Sequence, residues 1–131
     1  MGREAVEREM TEVAGVVLSV LDRVPDELID AEWQLLRRSL FEQTLLPGRY
    51  KALIGVAVAA ALRCPYATRL HTGLAQVHGA SEAELAEVVQ YCGLVSGWSA
   101  LLHGLATDPA AFGGEVTQVV GHLTSRVGVE L

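Results

Sequence analysis

The chain is poor in the residues that would place it in several common functional classes. It has two cysteines in 131 residues, Cys64 and Cys92, too few for a disulfide scaffold and not in any zinc-binding spacing, so no metal site is expected. Cationic side chains are also scarce. Ten Lys and Arg face sixteen Asp and Glu, a formal charge of -6 with a pI near 5.1, which opposes broad attraction to phosphate backbones or anionic headgroups. Neither nucleic acid nor a membrane surface is an expected partner. The first ten residues, MGREAVEREM, carry three glutamates and no apolar run, so they do not read as a secretory signal, and a cytoplasmic location is expected. No repeat, low-complexity stretch or period-two strand is legible anywhere.

What remains is an apolar, helical pattern. Half the residues are apolar, only 20% are charged, and the mean hydropathy is +0.30. At this length one domain spanning residues 1–131 is expected, and the excess of apolar surface points to burial in a homo-oligomer as well as in a core. The longest charge-free helical stretch, Val88 to Thr107, could span a bilayer by length alone. It contains Gln90, Ser96, Ser99, His103 and three glycines, so it reads as an oligomer helix.

Periodicity and capping residues divide the chain into about six helices. Val6, Met10, Val13, Val17 and Leu21 recur at helical spacing up to the break at Pro25. Pro25 starts a second helix with Leu28, Ile29, Trp33, Leu36, Leu40 and Phe41 directed inward, and Pro47-Gly48 opens a third, small-residue helix. Pro65 suits the first position of a fourth, with Cys64 as its N-cap. Ser81 and Glu84 form the signature of a reciprocal capping box at the start of a fifth helix running to about Ala106. A loop through AAFGG precedes a last helix from about Glu115 to Arg126. The fold class is all-α.

The stretch CPYATRLH, residues 64 to 71, carries the candidate chemistry. A thiol reacts as the thiolate, and the unpaired amides of a helix's first turn favour that form. Cys64 has this placement, and His71 lies two turns further along, about 10 Å by helical rise. These two are the candidate catalytic residues. Trp33, Tyr66, Trp98 and His103 are candidates to wall a small-molecule pocket, although each also fits ordinary packing or capping. His78, just before Gly79, reads as a helix C-cap, and His122 as solvent-facing. Gly93 and Gly97 form G-x-x-x-G, a spacing that lets helices approach closely.

The run LPGRYKALIGVAVAAALRCPYATRLHTGLAQVHGASEAELAEVV, followed by SGWSALLHG, resembles the AhpD-like, or carboxymuconolactone decarboxylase, family. In that family K-E-L-I leads into C-x-x-C-x-x-x-H and a Gly-Ala-Ser/Thr turn. The resemblance covers about residues 25 to 106. It implies a trimer or hexamer, no cofactor, and one of two chemistries. Peroxidase members use the second cysteine to attack peroxide and the first to resolve, with a glutamate and the histidine relaying protons. Decarboxylase members act on small cyclic acids through acid–base groups. Here the second cysteine is replaced by Ala67 and the glutamate by Ala52, so the usual dithiol cycle lacks its first step. The expectation is a cofactor-independent enzyme or binder of a small organic acid. A thiol peroxidase or disulfide reductase using Cys64, alone or with Cys92, and a catalytically silent oligomer are the alternatives.

Overall fold

In a computed structural model of the chain, residues 1–126 are described. They form six α-helices and, among the described residues, no strand: α1 (Arg3–Ala14), α2 (Asp26–Leu40), α3 (Gly48–Leu62), α4 (Pro65–Val77), α5 (Glu82–Gly104) and α6 (Pro109–Ser125), with a short 3₁₀ turn at Ser19–Arg23. The backbone groups into two compact units, residues 1–90 and residues 91 onward.

The first unit holds both buried clusters. Val6, Met10, Leu21, Ile29 and Trp33 form one of them, between α1, the 3₁₀ turn and α2. The single long helix expected up to Pro25 is broken, because Gly15 takes a left-handed conformation at φ 78° and ends α1. Arg3 then fastens the following segment. Its guanidinium donates to the carbonyls of Leu21 (3.1 Å) and Val24 (2.6 Å) and pairs with Asp26 at 2.6 Å. Leu21 still reaches the core, by the 3₁₀ turn instead of a fifth turn of helix. Within α2, Ile29 and Trp33 are buried, while Leu28 is half exposed. At Asp30, hydrogen bonds from the N-terminal amine and Gln34 hold the carboxyl below its usual range. That contribution is present at neutral pH and disappears as acid protonates the group.

The second cluster, Ala52, Ala75 and Ala80, lies in the hairpin of α3 and α4. Small residues along α3 allow the helices to approach closely. The turn between them depends on Arg63, left-handed at φ 54°, whose amide bonds to Ala60 O while that of Cys64 bonds to Ala59 O. Pro65 occupies the first position of α4 and Cys64 is its N-cap, as the sequence predicts.

Ser81 caps α5 by accepting from the Glu84 amide at 3.1 Å. The reciprocal half of the box differs from expectation: the Glu84 carboxylate pairs with Arg49 of α3, a charged partner stronger than the Ser81 backbone amide. The expected AAFGG loop is helical. Asp108 accepts from the Ala111 amide at 3.0 Å with Pro109 next to it, the same N-cap-plus-proline start as at Cys64, so α6 begins six residues early. No residue of α5 or α6 is buried, and α5 is long and apolar enough to cross a membrane by length and composition.

Candidate functional site

Two glycines of α3 and two histidines of α4 define the hairpin's chemistry. A β-carbon at Gly55 would overlap the His71 imidazole, and one at Gly48 would overlap that of His78. Both pairs keep one antiparallel register, seven residues forward on α3 matching seven back on α4. Each imidazole therefore lies against the α3 backbone in a notch that only glycine leaves open.

His71 is half-buried, and its Nδ1 is shielded from solvent with no hydrogen-bond partner. An orphaned buried polar nitrogen costs about 1–3 kcal/mol. The His71 side chain lines a cavity of about 20 Å³ with Ser39, Lys51, Ala52 and His78, room for about one water molecule. Ala52 is 4% exposed, so the methyl group standing at the resemblance's glutamate position faces this imidazole's surroundings rather than solvent.

A larger chamber of about 480 Å³ adjoins this cavity, sharing Leu40, Gly48 and His78 as walls. It lies beside the segment joining α2 to α3 and is lined further by Glu42, Gln43 and Thr44. That segment is held by polar contacts. Arg37 bridges Glu9 (2.6 Å) and Glu42 (3.1 Å), and Lys51 Nζ donates to Glu42 O (3.1 Å) and Thr44 Oγ1 (3.0 Å).

Cys64 lies elsewhere. Its Sγ accepts from the Ala67 amide at 3.4 Å, as expected for a sulfur at a helix start. With Tyr66, Arg63, Arg69 and Val89 it lines an open groove of about 1310 Å³. Cys64 and Tyr66 thus share one surface, whereas His71 faces the cavity around Ala52. Tyr66 is 86% exposed, so its ring is available to a ligand.

The remaining candidates are not among the residues lining these cavities. Trp33 is fully buried in the N-terminal core, with Nε1 donating to Glu9 Oε2 at 2.6 Å. Trp98 and His103 belong to the second unit and are exposed. His78 is a C-cap as expected, but sequence reasoning misses its second role as a wall of both chambers. Lys51, Glu42 and Ser39 are missed as well. The signal for His78 is present: Gly48 and Gly55 match His78 and His71 at equal and opposite spacing. No group of three or more His, Cys, Asp or Glu among the described residues is placed to hold a metal ion.

The model of the carboxymuconolactone decarboxylase family matches residues 27–107. No protein of curated function matches the sequence significantly. Among solved structures, the alkylhydroperoxidase AhpD core from Rhodospirillum rubrum superposes with a TM-score of 0.71 at 24% identity, over 83% of this chain and 84% of its own. A candidate carboxymuconolactone decarboxylase from Burkholderia xenovorans gives 0.59 at 25% identity, over 72% of this chain and 75% of its own. Both share the helical fold.

Proposed function

The chain belongs to the carboxymuconolactone decarboxylase family, and we propose that it is a cofactor-independent enzyme or binder of a small organic acid, working through imidazole acid–base chemistry. The observation that carries this reading is His71: an imidazole seated in a glycine notch of α3 and lining a cavity where the family's redox members have a carboxylate and this chain has Ala52. A histidine needs no partner to exchange protons near neutrality. For a lactone acid of the kind the family is named after, the C–C bond to the carboxylate breaks and carbon dioxide leaves. The electron pair passes into the lactone carbonyl as an enolate. An imidazolium then delivers a proton to carbon and is restored from water. Cys64 contributes to a neighbouring surface and takes no part in this step.

Carbon dioxide release from carboxymuconolactone tests the proposal. His71→Ala is expected to lower kcat/KM by about 10²–10⁴, the range for loss of a general acid or base. Full activity in that variant would remove His71 from the mechanism. The second reading, a thiol peroxidase through Cys64, is favoured by the sulfur's place at a helix start on an open groove. Brisk peroxide turnover that vanishes in Cys64→Ser would reverse the ranking.

Assembly forms part of the same proposal. Trp98 is 54%, Leu101 50% and Val119 57% exposed, apolar surface of a kind that monomers rarely leave in contiguous patches. A trimer or hexamer of the 14.0 kDa chain is the expected species in light scattering without detergent. Trp98→Glu is expected to shift the mass towards monomer. A purely monomeric wild type, or a protein extracted only by detergent, would contradict the oligomer-helix reading of α5.

A further inference from the structure

We infer that the seam where Lys51, His71 and His78 converge binds a carboxylate end of a small acid, whose body occupies the 480 Å³ chamber beside Glu42 and Thr44. The inference deepens the organic-acid reading above by locating the subsite, and it rests on that reading for the class of compound.

Charge gives the first argument. Lys51 is the chain's only lysine, and its ammonium donates to two neutral acceptors, the Glu42 carbonyl and the Thr44 hydroxyl. Among the described residues no carboxylate pairs with it. The one acid that lines the chamber, Glu42, has its carboxylate engaged by Arg37 at 3.1 Å. The cavity wall therefore carries an unneutralised cation with a third N–H to donate. A cation half-removed from water is stabilised by an anion, and none of the described residues supplies one.

Hydrogen bonding gives the second. The imidazoles of His71 and His78 both line the inner cavity, and each is held in a glycine notch of α3, His71 with Nδ1 turned to Gly55. His71 and His78 stand two turns apart on α4, about 10 Å along its axis. A ligand polar at both ends and about six carbons long spans that interval. The inner cavity, about 20 Å³, admits a single carboxylate oxygen, and the adjoining chamber, about 480 Å³, falls in the range of small-molecule sites. His78 lies at the junction of the two. Its neighbour Gly79 is left-handed at φ 82°, which ends the helix there and leaves His78 exposed on its outer side.

The test uses the full chain with adipate, a six-carbon dicarboxylate, and hexanamide as an uncharged control, followed by calorimetry and by the side-chain ¹⁵N signals of the histidines. Adipate is expected to bind saturably and to move the His71 and His78 signals together, while hexanamide does neither. Lys51→Gln and His78→Gln are each expected to weaken adipate at least about tenfold, the effect of losing one charge-assisted hydrogen bond. Arg69→Gln, in the Cys64 groove, is expected to leave affinity unchanged. The two variants keep a hydrogen-bonding side chain, and circular dichroism confirms that each is folded. Absence of saturable adipate binding, equal binding of hexanamide, or affinity untouched in both variants would overturn the inference. If Lys51-dependent binding is found without decarboxylation, only the catalytic proposal fails; if turnover is found with binding indifferent to Lys51 and His78, only this subsite fails.

Discussion

Installing Ala67→Cys together with Ala52→Glu is expected to convert the protein into a dithiol peroxidase, with peroxide consumption in the presence of dithiothreitol rising at least about 100-fold over wild type, the lower end of what positioned acid–base groups contribute. The frame for this is already built. Cys64 is the N-cap of α4 and Ala67 sits three residues on, its amide 3.4 Å from the Cys64 sulfur. Residues at that spacing on a helix's first turn lie close enough for the alpha-carbon separation a disulfide requires, below about 7 Å. Ala67 is half-buried, so a sulfur at its position keeps partial access to solvent. In the cycle, the new thiolate attacks the O–O bond, giving a sulfenic acid and water or alcohol. The Cys64 thiolate then displaces hydroxide to form the disulfide, and dithiothreitol restores both thiols.

Ala67→Cys alone is expected to react slowly, because the oxygen leaving group still needs a proton. Ala52→Glu supplies a carboxylate at the cavity that His71 and Lys51 line, and a buried carboxylate is tolerated where such partners exist. Mass spectrometry of the peroxide-treated double variant should show loss of two hydrogens, the mark of a disulfide between Cys64 and the thiol introduced in place of Ala67. A folded double variant that neither forms this bond nor turns over peroxide would mean that the helix start, although positioned, does not belong to a redox frame.

Helix starts are legible in the sequence where a proline follows a capping residue and an apolar period continues from it, and the chemistry is legible where a motif is contiguous. Cys64-Pro65 is read correctly for that reason. Asp108-Pro109 has the same grammar, but the small residues after it carry no apolar period, so the pattern places α6 too late. Gly15 ends α1 inside an unbroken apolar pattern: periodicity reports which side chains reach the core, and Leu21 does so from a 3₁₀ turn as well as from a helix. The site is harder to read because it depends on two helices in register. His71 stands out by its distance from Cys64, yet its packing partner is Gly55, sixteen residues upstream, and its cavity neighbours Ser39 and Lys51 come from different elements. The antiparallel pairing of α3 with α4 brings His71 to Gly55 and Lys51, and α2 adds Ser39.

Trp33→Ala is expected to produce the largest loss of stability from a single substitution and no specific change in ligand recognition. The indole is fully buried among Val6, Met10, Leu21 and Ile29, and its ring centroid is 6.2 Å from that of Phe41. Truncating such a side chain removes its transfer free energy and leaves a cavity, together about 3–5 kcal/mol. The Nε1 donor to Glu9 also disappears, although Glu9 keeps Arg37 as a partner at 2.6 Å. Against a typical domain stability of about 5–15 kcal/mol, that loss lowers the urea midpoint steeply without altering the slope m. Trp33→Phe separates the contributions. It retains most of the ring volume and gives up only the hydrogen bond, so about 1 kcal/mol of the loss should remain, with some further packing cost. Through Arg37 the same network reaches Glu42 on the chamber wall, so the indole acts on the site by holding α1 against α2 rather than by touching a ligand. Adipate affinity in folded Trp33→Phe should accordingly match wild type. A selective loss of affinity in that variant at unchanged stability would place Trp33 in the binding surface and reassign the N-terminal core.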